Sequence, residues 1–205
     1  MTEKKDVMRP GLWTPRPVEE TIAIYADWAE TYDADVIKRG YHTPGRIAAA
    51  LRDIADPSDP ILDFGCGTGL GGMALRQAGF QHLDGTDITA EMLERAQALG
   101  IYDKTWLSQP GELSFGRGAY QVIVAAGVVS LGAAPPETLG LLVAKLNSGG
   151  LLALSFNDPT LKDDSYTDAL ATEIGEARAE VIFREHGPHL DDVDMGADVI
   201  VLRRR

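Results

Sequence analysis

Residues 61 to 72 read ILDFGCGTGLGG: a short apolar run, an aspartate at position 63, then glycines at 65, 67, 69, 71 and 72. "ILDF" has the length of a buried parallel strand and runs straight into the glycines. The segment LGGMALRQAG spaces its apolar residues as a helix does and closes at Gly79. Strand, glycine loop and helix form the first half of a β-α-β unit. The second strand, HLDGTDI at 82 to 88, completes it, followed by a helix opening at Thr89 as N-cap.

Outward from this unit the alternation continues. Strands are expected near 104 to 108, at 120 to 126 and at 151 to 157, with a helix over PETLGLLVAKLNSGG between the last two. After a helical stretch around 163 to 178 come AEVIFREH and GADVIVLRR, joined by GPHLDDVDM and expected to form an antiparallel hairpin. The fold class predicted is α/β: a doubly wound, Rossmann-like sheet of seven strands, mostly parallel with a C-terminal antiparallel hairpin, and helices on both faces. Upstream, Pro10, Pro15 and Pro17 mark residues 1–20 as a flexible arm, anchored by Trp13. Ile22, Tyr25, Trp28, Ala29 and Tyr32 recur at helical spacing, and a second helix is expected over 45 to 55. The chain thus divides into the arm and one domain over 21–205: cap helices at 21–55, a cofactor-binding core at 56–160, and a C-terminal helix and hairpin at 161–205.

With 205 residues and 44% hydrophobic composition the chain can bury one sizeable core. Its formal charge of −12, from 31 acidic residues against 19 Lys and Arg, repels phosphate backbones and anionic lipid, so neither nucleic acid nor membrane is an expected partner. The absence of an apolar segment of signal or membrane-spanning length points to a cytoplasmic protein. One cysteine, Cys66, rules out an intrachain disulfide framework. Whether the chain is a monomer or a homodimer does not follow from its residues.

In a doubly wound sheet the loop after the first strand makes the closest backbone approach to a ligand, and Gly65, Gly67 and Gly69 leave room for it. A GxGxxG pattern falls on Gly67, Gly69 and Gly72, too late for a dinucleotide loop that opens at the strand end. A pyrophosphate at a helix N-terminus wants no anion beside it, whereas Asp63 favours a cationic group. Asp87, ending the second strand 24 positions later, can accept both hydroxyls of a ribose. A nucleoside carrying an amino-acid tail satisfies both.

LDFGCGTGLGG, GTDITAEML, LNSGGLLALSF and the hairpin ending resemble the class I S-adenosylmethionine-dependent methyltransferases over about residues 45 to 205. YADWAETYDADV, LDGTDITAEMLERAQALGIYD and AAGVVSLGAAPPETLGLLVAKLNSGG look like a narrower group, the methyltransferase-domain proteins related to the Williams-Beuren-region methyltransferase-like protein. The resemblance implies S-adenosyl-L-methionine as cofactor, with Asp63 near its ammonium directly or through water, Gly65 and Gly67 as backbone contacts, Asp87 on the ribose, and Ile88 and Met92 on the adenine. Cys66 fits the loop as a small residue. Where the family carries an acid for the adenine amino group, this chain has Ser108 and Gln109, and Gln109 can accept through its carbonyl. Gln121 follows Tyr120 where an aspartate is usual.

Methyl transfer from a sulfonium is an in-line displacement that positioning and desolvation can accelerate, consistent with the lack of a catalytic triad. AAGVV at 125 to 129 carries no Asn-Pro-Pro-Tyr-like motif, no cysteine for attack on a pyrimidine, and no carboxylate for magnesium. The expected acceptor is a small molecule with an O, N or S nucleophile. Tyr25, Trp28, Tyr41 and Arg46 are expected to line its pocket, with Tyr32 touching the cofactor and His42 as candidate general base. Docking faces, a surface histidine and a solvated arginine are the plain alternatives for these residues. His186, His189, Asp191, Asp192 and Asp194 are metal-ligand types, but they sit in an expected loop and no metal is predicted. Rival readings are an NAD(P)-dependent oxidoreductase and a non-catalytic S-adenosylmethionine-binding regulatory module.

Overall fold

A computed structural model describes residues 11–205. The expected arm falls in part, at residues 1–10, outside the described residues. From Gly11 onward it packs: Leu12 is buried against Trp28, Val36 and Leu190. The Arg16 guanidinium folds back on this turn, donating to the carbonyl oxygens of Gly11 at 2.6 Å and of Leu12.

Among the described residues three helices precede the core rather than two: α1 Val18–Trp28, α2 Tyr32–Lys38 and α3 Thr43–Arg52. The α1–α2 break was illegible because apolar spacing runs through it. It falls at residues 29–31, where the Thr31 and Asp35 side chains bond each other at 2.9 Å and the Trp28 indole donates to Asp35 at 2.7 Å. The core then follows as β1 Pro60–Phe64, α4 Leu70–Gln77, β2 His82–Asp87, α5 Ala90–Ala98, β3 Lys104–Leu107, β4 Val122–Ala125, α6 Glu137–Lys145 and β5 Leu151–Asn157. The C-terminal part comprises α7 Asp158–Leu161, α8 Asp164–Gly175, β6 Ala179–Leu190 and β7 Met195–Arg204.

The seven strands lie in the order β3-β2-β1-β4-β5-β7-β6. The first five are parallel, and β7 pairs antiparallel with both β5 and β6. Strand side chains alternate between two cores because successive residues face opposite sides of a sheet. Ile61, Val122, Val124, Leu151 and Ala153 face α3 and α4, whereas Leu62, Ile123, Ala125, Leu152 and Leu154 face α6 and α8. Double coverage explains why these strands read as unbroken apolar runs. The hairpin is tighter than expected: GPHL belongs to β6, which reaches Leu190, and one 3-10 turn over Asp191–Val193 connects it to β7.

Strand order reverses between β1 and β4, so their carboxyl ends diverge there and leave a crevice. α1, α2 and the turn at Leu12 and Trp13 roof it.

Candidate functional site

The crevice holds a cleft of about 690 Å³ lined by Gly65, Gly67, Asp87, Ile88, Met92 and Gln109, with Tyr25 and Tyr32 at its roof. A second void of about 70 Å³ adjoins it, sharing Tyr25, Tyr32 and Gly127 and adding Trp28, Tyr41 and His189.

Amide hydrogens of Gly65 and Cys66 donate to the Thr86 carbonyl at 2.8 and 2.9 Å, prolonging the β1–β2 edge into the loop. Gly67 takes φ +55°, and a Cβ built there meets nothing within 4 Å. The backbone turns its bare side to empty space at this point, a cradle that a side chain would fill. The Thr68 hydroxyl donates to Asp33 at 2.5 Å and ties the loop to the α2 roof.

Asp87 ends β2 at the cleft and accepts from Gly67 N–H and Thr89 N–H, each at 2.8 Å. Each bond engages a different oxygen, leaving lone pairs free for a ligand. Burial raises its pKa above the ordinary carboxylate value, against the lowering effect of those amide bonds.

Asp63 does not line the cleft. It is 1% exposed and points beneath the N-terminus of α4, where it accepts from the Tyr102 hydroxyl at 2.7 Å and from Gly72 N–H. Burial pushes its pKa up to about 6, while the Tyr102 hydrogen bond pulls it down and the Asp87 charge adds a smaller upward push. The structure thus places Asp63 behind the glycine loop rather than on the cleft wall, because strand alternation turns residue 63 toward α4. Gly72 is needed at this point because a Cβ there would occupy the Tyr102 ring and hydroxyl.

Other expected site residues separate in the same way. Cys66 turns its thiol into a cluster with Leu93, Ala96 and Tyr102, and burial drives the thiol pKa upward, so it is an inert packing group. Gly69 faces Leu99 and Ala96 rather than the cleft. Trp28 and Tyr41 reach only the smaller void.

His42 and Arg46 reach neither void. His42 pairs with Asp191 at 2.7 Å on the surface, since the 3-10 turn lies beside the start of α3. Arg46 donates to the carbonyl oxygens of Glu185, Pro188 and Ala197 at 2.9, 3.1 and 2.8 Å, clamping α3 to the hairpin. The histidine that does line a void is His189, 6% exposed, with Nδ1 2.7 Å from the Thr43 hydroxyl. Burial lowers its pKa to about 4. Sequence reasoning grouped it with loop residues, and a Gly-Pro pair just before it hid the strand. Tyr102 was missed too, because its partner lies 39 residues away.

A family model described as "Methyltransferase domain" matches residues 38–195. The chain belongs to the class I S-adenosylmethionine-dependent methyltransferase family. Among curated relatives, human methyltransferase-like protein 27 is 36% identical over 143 residues, covering 66% of the chain and 57% of the relative. Malonyl-[acyl-carrier protein] O-methyltransferase of Anoxybacillus flavithermus is 32% identical over 156 residues, covering 73% and 58% respectively. The matches thus span less than two thirds of either relative's length. Magnesium protoporphyrin IX methyltransferase from Synechocystis PCC 6803 with bound SAM superposes with a TM-score of 0.67 at 18% identity, covering 90% of this chain and 97% of that one, a likeness of fold. The dehydrogenase reading falls with these matches, and S-adenosylmethionine is the family's cofactor. No helix among the described residues is long and apolar enough to cross a membrane.

Proposed function

We propose that this methyltransferase binds S-adenosylmethionine in the larger cleft and transfers its methyl group to a small molecule held beneath the α1–α2 roof. The observation that carries the reading is the pairing of the open Gly67 cradle with the Asp87 carboxylate, joined at 2.8 Å, on one wall of the cleft. An adenosine fits that donor set: Asp87 accepts from the ribose hydroxyls, Ile88 and Met92 offer an apolar face to the purine, and Gln109 supplies an amide at its rim.

Bound, the cofactor supplies a methyl group on a positively charged sulfur. The chain's own part is to orient and dry the site. Gly65 and Gly67 let the backbone come close, and Tyr25 and Tyr32 present aromatic edges and faces that suit a sulfonium. The α1 and α2 helices, held to the core by Thr68–Asp33 and by the Thr21 hydroxyl on the Gly132 carbonyl, exclude water from the reacting end. None of this requires a charged base.

Calorimetric titration with S-adenosylhomocysteine tests the reading, with NADH as control. Asp87→Ala removes two charge-assisted bonds to the ribose, each contributing about 1.5–3 kcal/mol, so affinity is expected to fall by about a hundredfold or more. Unchanged affinity in the variant, or tighter binding of NADH than of S-adenosylhomocysteine, overturns it.

A further inference from the structure

The void of about 70 Å³ beside the cleft is built from neutral groups: among the described residues no Asp, Glu, Lys or Arg side chain lines it. It has room for a head of a few non-hydrogen atoms, on the order of five waters. Its walls are aromatic, with the Trp28 and Tyr32 rings 4.8 Å apart and edge to face.

Among its lining residues, Tyr41, Asn157 and His189 each offer a hydrogen-bond donor, whereas the Ser130 hydroxyl is spent on the Gly127 carbonyl at 3.1 Å and the Trp28 indole on Asp35. Asn157 is 6% exposed, and its Oδ1 accepts from Thr160 N–H at 3.1 Å and from the Thr160 hydroxyl at 2.7 Å. That fixes the amide, leaving the Nδ2 hydrogens for the void it lines. The Thr43 hydroxyl is fully buried, and its one partner among the described residues is His189 Nδ1. Its proton must go there, so the imidazole carries its own hydrogen on Nε2. The Tyr41 hydroxyl has no hydrogen-bond partner among the described residues and lies 3.4 Å from where a Cβ of Gly127 would stand, at the boundary between void and cleft. Tyr41, Asn157 and His189, which line the void, contribute none of the sealed side-chain polar atoms that lack a partner among the described residues.

Neutral donors lining one small void, without a cation or a base, suit an oxygen acceptor that needs no deprotonation. We propose that this void seats a carboxylate, and that the methyl acceptor is a carboxylic acid methylated on oxygen. The inference rests on the larger cleft taking S-adenosylmethionine. A carboxylate is ionised at neutral pH, so no group has to remove a proton. Its oxygen lone pair forms the new O–CH3 bond as the C–S bond breaks; carboxylate and sulfonium charges cancel, leaving an ester and a thioether. An amine or alcohol would instead have to lose a proton, and His189, with Nδ1 engaged and Nε2 protonated, does not accept one. Charge-assisted bonds from Tyr41, Asn157 and His189 offset the loss of the carboxylate's hydration.

Calorimetry on the full chain saturated with S-adenosylhomocysteine, titrated with benzoate, benzyl alcohol and benzylamine, tests this. Benzoate is expected to bind at least tenfold tighter than the other two. Tyr41→Phe removes a hydroxyl with no protein partner, so it preserves the fold and weakens benzoate about tenfold. Asn157→Asp keeps the acceptor that Thr160 needs but places a negative charge in the void; benzoate binding should vanish and benzylamine should gain. Equal affinity for the three probes, or benzoate binding indifferent to Asn157→Asp, overturns the proposal. The same benzoate pattern in a chain that fails to bind S-adenosylhomocysteine would retain the carboxylate site and overturn the cofactor reading instead.

Discussion

Asp63→Asn should make the ligand-free protein more stable at neutral pH. The native carboxyl has a pKa pushed from 3.8 to about 6 by burial, so the folded state binds a proton more tightly than the unfolded chain does. Stability from this group is fully present below pH 3.8 and is lost as pH rises through about 6. The difference of about two pH units corresponds to about 3 kcal/mol at pH 7.5. Asparagine is isosteric and carries no charge to desolvate. Its Oδ1 can take the Gly72 N–H while Nδ2 donates to a lone pair of the Tyr102 hydroxyl; the Tyr102 proton then loses its acceptor, which offsets about 1 kcal/mol or more of the gain. For a chain of this length the full effect raises Tm by about 6–12 °C, and relaxation around the site reduces it. The assay is thermal unfolding of parent and variant in matched buffers from pH 4 to pH 8. Their Tm difference should be small at pH 4 and grow until about pH 7. A variant less stable at pH 7.5, or a Tm difference flat across that range, would refute the view that Asp63 is a desolvated charge.

Two further substitutions separate ligand binding from folding. Gly67→Ala strains a backbone at φ +55° by about 1 kcal/mol and fills the cradle, so Tm should drop by a few degrees while S-adenosylhomocysteine affinity falls more than tenfold in calorimetry. Arg46→Ala leaves the carbonyls of Glu185, Pro188 and Ala197 without their donor; denaturant unfolding should show a loss of about 2–4 kcal/mol with cofactor affinity unchanged, and Arg46→Lys should not restore it because one ammonium cannot span three acceptors.

Much of the larger cleft's wall was legible because it is local. Gly65, Gly67, Asp87, Ile88 and Met92 fall in the loop after β1, the end of β2 and the start of α5, and all of them line the cleft. What failed were assignments that depended on facing. Asp63 and Phe64 are neighbours in β1, yet Phe64 lines the cleft and Asp63 points under α4. His42 and His189 exchange places for a similar reason: the backbone N–H of His42 bonds the His189 carbonyl at 3.0 Å, yet the His42 side chain turns outward and the His189 side chain inward. No spacing rule distinguishes them, because the choice is made where α3 meets the hairpin.

The sequence by itself determined the alternating α/β architecture, the hairpin ending and the glycine loop, since periodicity, turn residues and composition act over a few neighbouring positions. The tertiary structure alone decided which polar groups face the voids. Tyr102 reaching Asp63 across 39 residues, Thr43 reaching His189 across 146, and Arg46 reaching Ala197 across 151 are contacts of packed surfaces. Their partners are set by how helices dock on a sheet, and burial, which sets their protonation, exists only once that docking is complete.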